Sequence, residues 1–169
     1  MPLPPLKDQF DALLRLPSIS CTQADLDQSN LPVVELLASW LNDLGFECRI
    51  LPIANQPGKA NLLASFGSGP GGLVMAGHTD TVPCNPERWQ HNPFALTEAN
   101  NRWYGLGSCD MKGFFPLIIE AVRSYLNQPF KHPLIILATA DEESSMSGAR
   151  ALVAADFSQA RHAIIGEPT

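Results

Sequence analysis

Residues 134–143 read Leu-Ile-Ile-Leu-Ala-Thr-Ala-Asp-Glu-Glu, a short apolar run that ends in three consecutive acidic residues. An apolar run of this length, bounded by polar residues, predicts a buried strand. The pattern recurs at Leu73–Gly77, which precedes His78, and at Ala163–Gly166, which precedes Glu167. Three such runs predict one sheet whose strands each end in polar residues.

Helical patterns surround these predicted strands. Apolar residues three and four apart predict a first helix before Pro17 and later helices at about Pro32–Leu44, Met111–Leu126 and Ser147–Ala155. Ser29 or Asn30 is expected to cap the helix that contains Pro32. Further strands are predicted at about Cys48–Ile53 and Asn61–Phe66, and a hairpin around Asn100-Asn101. Strands that alternate with helices predict the α/β class, with a mixed, largely parallel sheet between helices.

Composition excludes several classes of protein. The 169 residues include 11 Lys and Arg against 17 Asp and Glu, a formal net charge of −6. This acidic balance, without a basic stripe, argues against a nucleic-acid partner. No apolar run approaches the roughly 20 residues of a membrane span, and no secretory signal pattern is present, so no membrane partner is expected. Four cysteines without CxxC spacing favour reduced thiols and a cytoplasmic location.

Six polar residues are expected at the edge where the strands end, because ligands bind there in open α/β sheets. They are His78, Asp80, Asp110, Glu142, Glu143 and Glu167, with Asp110 opening the helix predicted from Met111. Each alone has a simpler interpretation: a core histidine, a helix cap, a solvated acidic loop or a surface residue. Together, several carboxylates repel one another unless a cation joins them, and one imidazole among them suits zinc, cobalt or manganese.

Spacing also suggests different roles for these side chains. His78 and Asp80 are two residues apart, so on an extended segment they point the same way, and the carboxylate can fix the imidazole tautomer. Glu142 and Glu143 are adjacent and point in different directions, so one can bind metal while the other accepts a proton from water. This division is what metal-assisted hydrolysis requires.

Four motifs in this order resemble the dizinc amidohydrolases, a family that includes aminoacylases, carboxypeptidases and succinyl-diaminopimelate desuccinylases. They are Gly77–Pro83 (GHTDTVP), Gly105–Gly113 (GLGSCDMKG), Ala140–Glu143 (ADEE) and Gly166–Thr169 (GEPT). Within that family, residues 138–150, 26–30 and 40–46 are most similar to the branch that deacetylates N2-acetyl-L-ornithine. The resemblance covers essentially the whole chain, but less than half of a family enzyme.

The resemblance implies a role for each of the six residues. His78 and Glu167 would bind one metal ion, Asp110 would bridge two ions, and Glu143 would bind the second. Glu142 would be the general base, and Asp80 would orient His78. The implied cofactor is two zinc ions per complete enzyme, with cobalt as a possible substitute. The family also predicts a cis peptide bond between Asp110 and Met111.

The implied reaction is hydrolysis of N2-acetyl-L-ornithine to L-ornithine and acetate, in arginine biosynthesis. Residues 1–169 would then be the N-terminal portion of the catalytic domain, without the lid and dimerisation domain or the C-terminal catalytic part. The complete enzyme would be a homodimer acting on a small N-acyl amino acid. Two alternatives remain open: a related amidohydrolase, such as a succinyl-diaminopimelate desuccinylase, and an inactive metal-binding fragment.

Overall fold

The computed structural model describes residues 3–154 and 160–168. The helices are α1 (Leu6–Leu14), α2 (Leu31–Asp43), α3 (Phe114–Arg123) and α4 (Ser147–Ala154), and a 3-10 turn spans Pro86–Arg88. The strands are β1 (Glu47–Pro52), β2 (Ala60–Phe66), β3 (Leu73–His78), β4 (Thr97–Ala99), β5 (Arg102–Tyr104), β6 (Leu134–Thr139) and β7 (His162–Ile165). In these two ranges, no helix combines the length and apolarity needed to cross a bilayer.

Five strands form one sheet in the order β1-β2-β6-β3-β7. The β1–β2 and β2–β6 pairs are antiparallel, whereas β3 lies parallel to both β6 and β7. The predicted α/β class with a mixed sheet is therefore confirmed. The parallel part of the sheet consists of β3, β6 and β7, the strands predicted from the three apolar runs. β4 and β5 form a separate hairpin, and the intervening Asn100 and Asn101 both adopt positive φ, as a tight hairpin turn requires.

The larger hydrophobic core lies between one face of this sheet and the helices α2 and α3. Its buried members include Leu37, Leu41, Ala64, Ile119 and Ile136. A smaller cluster occupies the opposite face, because successive residues of a strand point to opposite sides; it is formed by Leu63, Val74 and Ile135. Both faces of the central strands are therefore packed against apolar side chains, and the ends of those strands carry the candidate site.

The segment before α3 differs from the prediction. The helix expected from Met111 begins at Phe114, with Gly113 as its N-cap residue. Residues 107–113 instead form a loop, in which the Gly113 N–H donates to the Gly107 carbonyl at 3.0 Å. Asp110 lies in this loop, so the expectation that it opens the helix is wrong. At the other end of the chain, two predicted features fall outside the described residues. They are the end of the last helix at Ala155 and the last residue of the GEPT motif, Thr169.

The side chain of Asn30 ties α2 to the sheet. It makes no capping hydrogen bond to the helix. Its amide group instead donates to the Ala60 carbonyl at 2.8 Å and to Thr79 Oγ1 at 2.7 Å. Ser29, the other predicted cap, accepts a hydrogen bond from the Leu31 N–H at 3.1 Å. Asn30 therefore fixes the segment next to His78, while Ser29 satisfies the first backbone N–H of the helix.

Candidate metal centre

Three parallel strands end at one edge of the sheet. His78, the last residue of β3, lies opposite Thr139 of β6, and β7 pairs with β3 on its other side. The chain leaves β6 into residues 141–143, which we call the acidic loop, and leaves β7 towards Glu167. Parallel strands thus bring the carboxyl ends of three distant sequence segments together, where open α/β sheets bind their ligands.

Carboxylates converge on the ring of His78, which is only 1% exposed. The Nε2 atom of His78 lies 3.1 Å from Asp110 Oδ1, 3.5 Å from Glu167 Oε2 and 3.9 Å from Glu142 Oε2. These three side chains come from three different loops. All three carboxylates lie near the same ring nitrogen, Nε2.

Asp80 lies on the other side of the imidazole. The Nδ1 atom of His78 is 3.0 Å from the backbone oxygen of Asp80 and 3.5 Å from its Oδ1. The fully buried Asp80 carboxylate also accepts hydrogen bonds from the backbone N–H groups of Glu142, at 3.1 Å, and Glu143, at 3.0 Å. The sequence pattern predicts a carboxylate facing the imidazole. In the structure the backbone carbonyl is closer, and the carboxylate holds the acidic loop as well.

The loop that carries Asp110 is anchored from beneath by Lys112. The buried Lys112 Nζ donates to the carbonyl oxygens of Leu13 and Leu16, both at 3.1 Å, at the C-terminal end of α1. Burial lowers the pKa of this lysine to about 8. The Asp110–Met111 peptide bond is cis, which confirms the prediction made from the family resemblance. The Asp110 side chain remains half exposed at the rim of the cluster.

The cluster shifts the pKa values of its own members. Burial opposes protonation of His78, but Asp80 and Glu167 outweigh it and raise the pKa of His78 to about 9. Burial also opposes ionisation of Asp80, yet His78 and the two N–H donors hold its pKa below the usual value. Burial, together with repulsion from Asp110, raises the pKa of both Glu143 and Glu167.

The donor atoms fit a divalent cation. His78, Asp110 and Glu167 each offer one ligand atom, and these atoms lie within 4.8 Å of one another; His78, Glu142 and Glu143 form a second such group. A cation relieves the repulsion that raises the carboxyl pKa values. One imidazole nitrogen with carboxylate oxygens suits zinc, cobalt or manganese. All six residues singled out in the sequence lie in or against this cluster.

Two further polar residues hold the acidic loop, and the sequence analysis did not single them out. The Asn61 side chain accepts a hydrogen bond from the Ala140 N–H at 3.1 Å and donates to the Gly148 carbonyl at 2.9 Å. The Lys59 Nζ lies 2.7 Å from Asp141 Oδ1. The sequence offers a way to recognise Asn61, because a polar side chain stands out within the apolar run of β2. Lys59 follows a glycine in a turn, where a polar residue is ordinary, so its sequence position does not distinguish it.

Comparisons with known proteins agree with this architecture. The profile of Peptidase family M20/M25/M40 matches residues 74–169, which is more than half of the chain. The chain belongs to this family. It is 52% identical over 167 residues to an acetylornithine deacetylase of Photorhabdus laumondii, across 99% of this chain and 43% of that protein. It therefore spans less than half the length of that relative.

Two solved structures share the fold. Human carnosine dipeptidase 1 superposes with a TM-score of 0.81 at 22% identity, over 95% of this chain and 37% of that chain. A dinuclear metal-binding peptidase of the M20 family from Bacillus subtilis gives a TM-score of 0.67 at 16% identity, over 95% of this chain and 41% of that chain. At these identities the similarity concerns the fold.

Proposed function

We propose that the full protein containing this chain is a metal-dependent amidohydrolase that converts N2-acetyl-L-ornithine to L-ornithine and acetate, a reaction of arginine biosynthesis. The observation that carries the proposal is the convergence of three carboxylates, from Asp110, Glu142 and Glu167, on the buried His78. The 52% identity to an acetylornithine deacetylase favours this substrate over other N-acyl amino acids.

Residues 1–169 would form the N-terminal portion of the catalytic metal-binding domain. The lid and dimerisation domain and the remaining catalytic part would lie elsewhere in the full protein. The 43% coverage of the Photorhabdus relative supports this division. The full enzyme would be a cytoplasmic homodimer that acts on a small molecule. The formal net charge of −6 on these 169 residues argues against a nucleic-acid partner.

The carboxylates and the imidazole would hold two zinc ions, for which cobalt would substitute. His78 and Glu167 would bind the first ion, and Asp110 would bridge it to the second. Glu143 would bind the second ion. The close grouping of ligand atoms from His78, Asp110 and Glu167 supports the first site. When bound, the ions supply Lewis-acid chemistry, which polarises the amide carbonyl and lowers the pKa of water.

Glu142 is the proposed general base. Asp80 accepts its backbone N–H, and its Oε2 lies 3.9 Å from His78 Nε2, so the carboxylate is held at the cluster. The carboxylate takes a proton from water as the water oxygen bonds to the amide carbon. The same carboxylate then gives that proton to the nitrogen as the carbon–nitrogen bond breaks, which yields acetate and a free amine.

Two substitutions in the full natural protein test these roles. Glu142→Gln should lower acetate release by about 10²- to 10⁴-fold, the usual contribution of a general base, while bound zinc stays at the wild-type level. Glu143→Gln should lower bound zinc together with activity. Acetate release and zinc content, by elemental analysis, are measured on the same samples. Glu47→Gln, an exposed carboxylate on β1, is the matched control.

Equal loss of zinc in both variants would reverse the assignment of Glu142 and Glu143. The substrate is tested separately, by comparing kcat/KM for N2-acetyl-L-ornithine and for N-succinyl-diaminopimelate. A higher value for the succinyl compound would identify the related desuccinylase instead. A protein that binds zinc but hydrolyses neither compound would be a metal-binding remnant.

A further inference from the structure

Lys59 is a buried cation that joins two carboxylates from distant parts of the chain. Its side chain is only 5% exposed, and its Nζ lies 2.8 Å from Asp27 Oδ1 and 2.7 Å from Asp141 Oδ1. Asp27 in turn accepts a hydrogen bond from the Cys21 N–H at 3.0 Å. The lysine, in the turn before β2, thus connects the segment 21–27 to the segment that follows β6.

Asp141 is the residue at which the chain turns into the acidic loop. It is buried and has a positive φ of 55°, which non-glycine residues rarely adopt. Its carbonyl oxygen accepts hydrogen bonds from the N–H groups of Ser145 and Met146, and its Oδ2 accepts one from the Ser147 hydroxyl. Glu142 follows immediately, so the orientation of Asp141 sets the direction in which the chain continues into Glu142 and Glu143.

We propose that Lys59 is a positioning residue, which sets the places of Glu142 and Glu143 through its ion pair with Asp141. This inference rests on the proposed function, in which these two glutamates are the general base and a metal ligand. It goes beyond that function because the ion pairs of Lys59 join it to Asp27 and Asp141 and not to either glutamate.

The acidic loop is held from two sides. On one side, the Asp80 carboxylate accepts the backbone N–H groups of Glu142 and Glu143. On the other side, Lys59 holds the Asp141 side chain. Asp80 fixes the two N–H groups, and backbone hydrogen bonds hold the Asp141 carbonyl, but the charged side chain of Asp141 also needs a partner. Lys59 supplies that partner and fixes the orientation of the side chain, and a displacement of about 1 Å at a reacting group can cost about 10²-fold in rate.

Charge supports the same arrangement. Burial opposes the charged form of Lys59, but hydrogen bonds and the charges of Asp141 and Asp27 outweigh burial, so the pKa of Lys59 rises above its ordinary value. The lysine therefore stays protonated at neutral pH. Without it, Asp141 would be an unpaired buried carboxylate beside two glutamates, and the loop would have to move to bring it to water.

The test uses Lys59→Met and Lys59→Arg in the full natural protein. Lys59→Met should lower kcat about 10- to 100-fold with KM changed by less than about threefold, because loss of a supporting contact acts on the reacting groups. Lys59→Arg keeps the charge and should recover most of kcat. Lys7→Met, which removes the exposed ion pair with Glu98, is the control and should leave kcat unchanged.

Cobalt binding gives a readout that does not depend on turnover. Titration of the metal-free protein with Co²⁺, followed by visible absorption, should show the second equivalent binding about tenfold more weakly in Lys59→Met, since Glu143 is displaced. If the wild-type protein hydrolyses neither substrate, the proposed function fails, and this titration still decides the role of Lys59. An unchanged second equivalent would overturn the positioning role.

A double variant separates positioning from simple charge compensation. Lys59→Met with Asp141→Asn removes both buried charges, so it should fold even where Lys59→Met does not. If Lys59 acts by positioning, the double variant regains stability but keeps the low kcat and the weak second cobalt site. Full recovery of kcat and of cobalt binding would show that Lys59 only neutralises Asp141, and would overturn the proposal.

Discussion

Asp80 Oδ2 accepts a hydrogen bond from the backbone N–H of Glu143 at 3.0 Å, although 63 residues separate the two in sequence. Its Oδ1 accepts the N–H of Glu142, and its backbone oxygen lies 3.0 Å from His78 Nδ1. One fully buried residue therefore fixes the imidazole at the end of β3 and the acidic loop after β6. The imidazole and the acidic loop therefore share one buried anchoring residue.

Asp80→Asn should damage both stability and metal binding. The amide offers one acceptor oxygen and one NH₂ donor, so one backbone N–H of the acidic loop would face a donor. Loss of a hydrogen bond to a charged group costs about 1.5–3 kcal/mol, and a lost supporting contact costs about 10- to 100-fold in metal affinity. Urea unfolding and zinc titration measure the two effects.

Asp25→Asn, at an exposed position, is the control for this substitution. It should change the free energy of unfolding by less than about 0.5 kcal/mol, as surface substitutions usually do. Zinc affinity in Asp80→Asn equal to that of the control would mean that the loop keeps its place without the carboxylate.

Much of the fold could be predicted from the sequence because its strands are short apolar runs between turns. β6 spans Leu134–Thr139, within the apolar run from which the sequence predicts a strand, and its polar continuation marks the edge of the site. The sequence predicts that Asp110 opens a helix, but the loop 107–113 precedes α3. In this loop, the Lys112 side chain donates to the carbonyl oxygens of Leu13 and Leu16, a contact that a helix pattern does not anticipate. That contact spans nearly a hundred residues, so local periodicity carries no trace of it.

The residues that hold the acidic loop in place could not be predicted from the sequence for the same reason. Lys59 and Asp141 are 82 positions apart in the printed sequence, and their contact depends on β2 pairing with β6. Hydrophobic patterning predicts which strands are buried, but the order of strands in the sheet decides which polar residues meet. His78, Glu142, Glu143 and Glu167 could be found because each lies at or just beyond the end of a strand, and Asp110 because it stands in a motif typical of the family. The residues that hold them come from other strands and turns.

Asn61→Leu should destabilise the fold. The fully buried Asn61 side chain pairs with the Ala140 N–H and the Gly148 carbonyl, so leucine leaves both backbone groups unsatisfied. Each such group costs about 1–3 kcal/mol, so chemical denaturation should show a loss of about 2–6 kcal/mol for the two together. Asn42→Leu, at an exposed position of α2, is the control. A loss no larger than in the control would indicate that water or a shifted loop satisfies both groups.

The cysteines should differ in their reactivity towards alkylating reagents. Burial raises the pKa of the Cys48 thiol to about 11, whereas Cys109 is exposed. At pH 8 about one Cys48 in a thousand is then a thiolate, which is the reactive form. Mass spectrometry after brief iodoacetamide treatment at pH 8 should find Cys109 modified and Cys48 intact. Because raising the pH increases the thiolate fraction, the rate at Cys48 should rise about tenfold per pH unit up to pH 11.

Cys48→Ser is the control, because the slow modification expected at Cys48 should be missing from this variant. Rapid modification of Cys48 at pH 8 would contradict the raised pKa. It would mean that β1, which carries Cys48 and pairs with β2 alone in the described sheet, opens easily at its edge.

Gly166→Ala should weaken metal binding through the position of Glu167. A Cβ atom at Gly166 would clash with the ring of Phe114, the first residue of α3, so either the ring or the chain at Gly166 must move. Overpacking of this kind costs about 1–3 kcal/mol of stability. Because Glu167 is the next residue and faces His78, zinc affinity should fall by about tenfold, as expected for a displaced ligand. Calorimetric zinc titration measures the change.

Removing the ring should reverse that loss. In the double variant Gly166→Ala with Phe114→Ala, the new methyl group has space, so zinc affinity should return to within about threefold of the affinity in Phe114→Ala alone. The single variant Phe114→Ala measures the cost of the lost packing by itself. If Gly166→Ala binds zinc as tightly as the unmodified chain, Glu167 does not depend on its preceding glycine. If the double variant stays as weak as Gly166→Ala, the effect comes from the backbone of residue 166 and not from contact with Phe114.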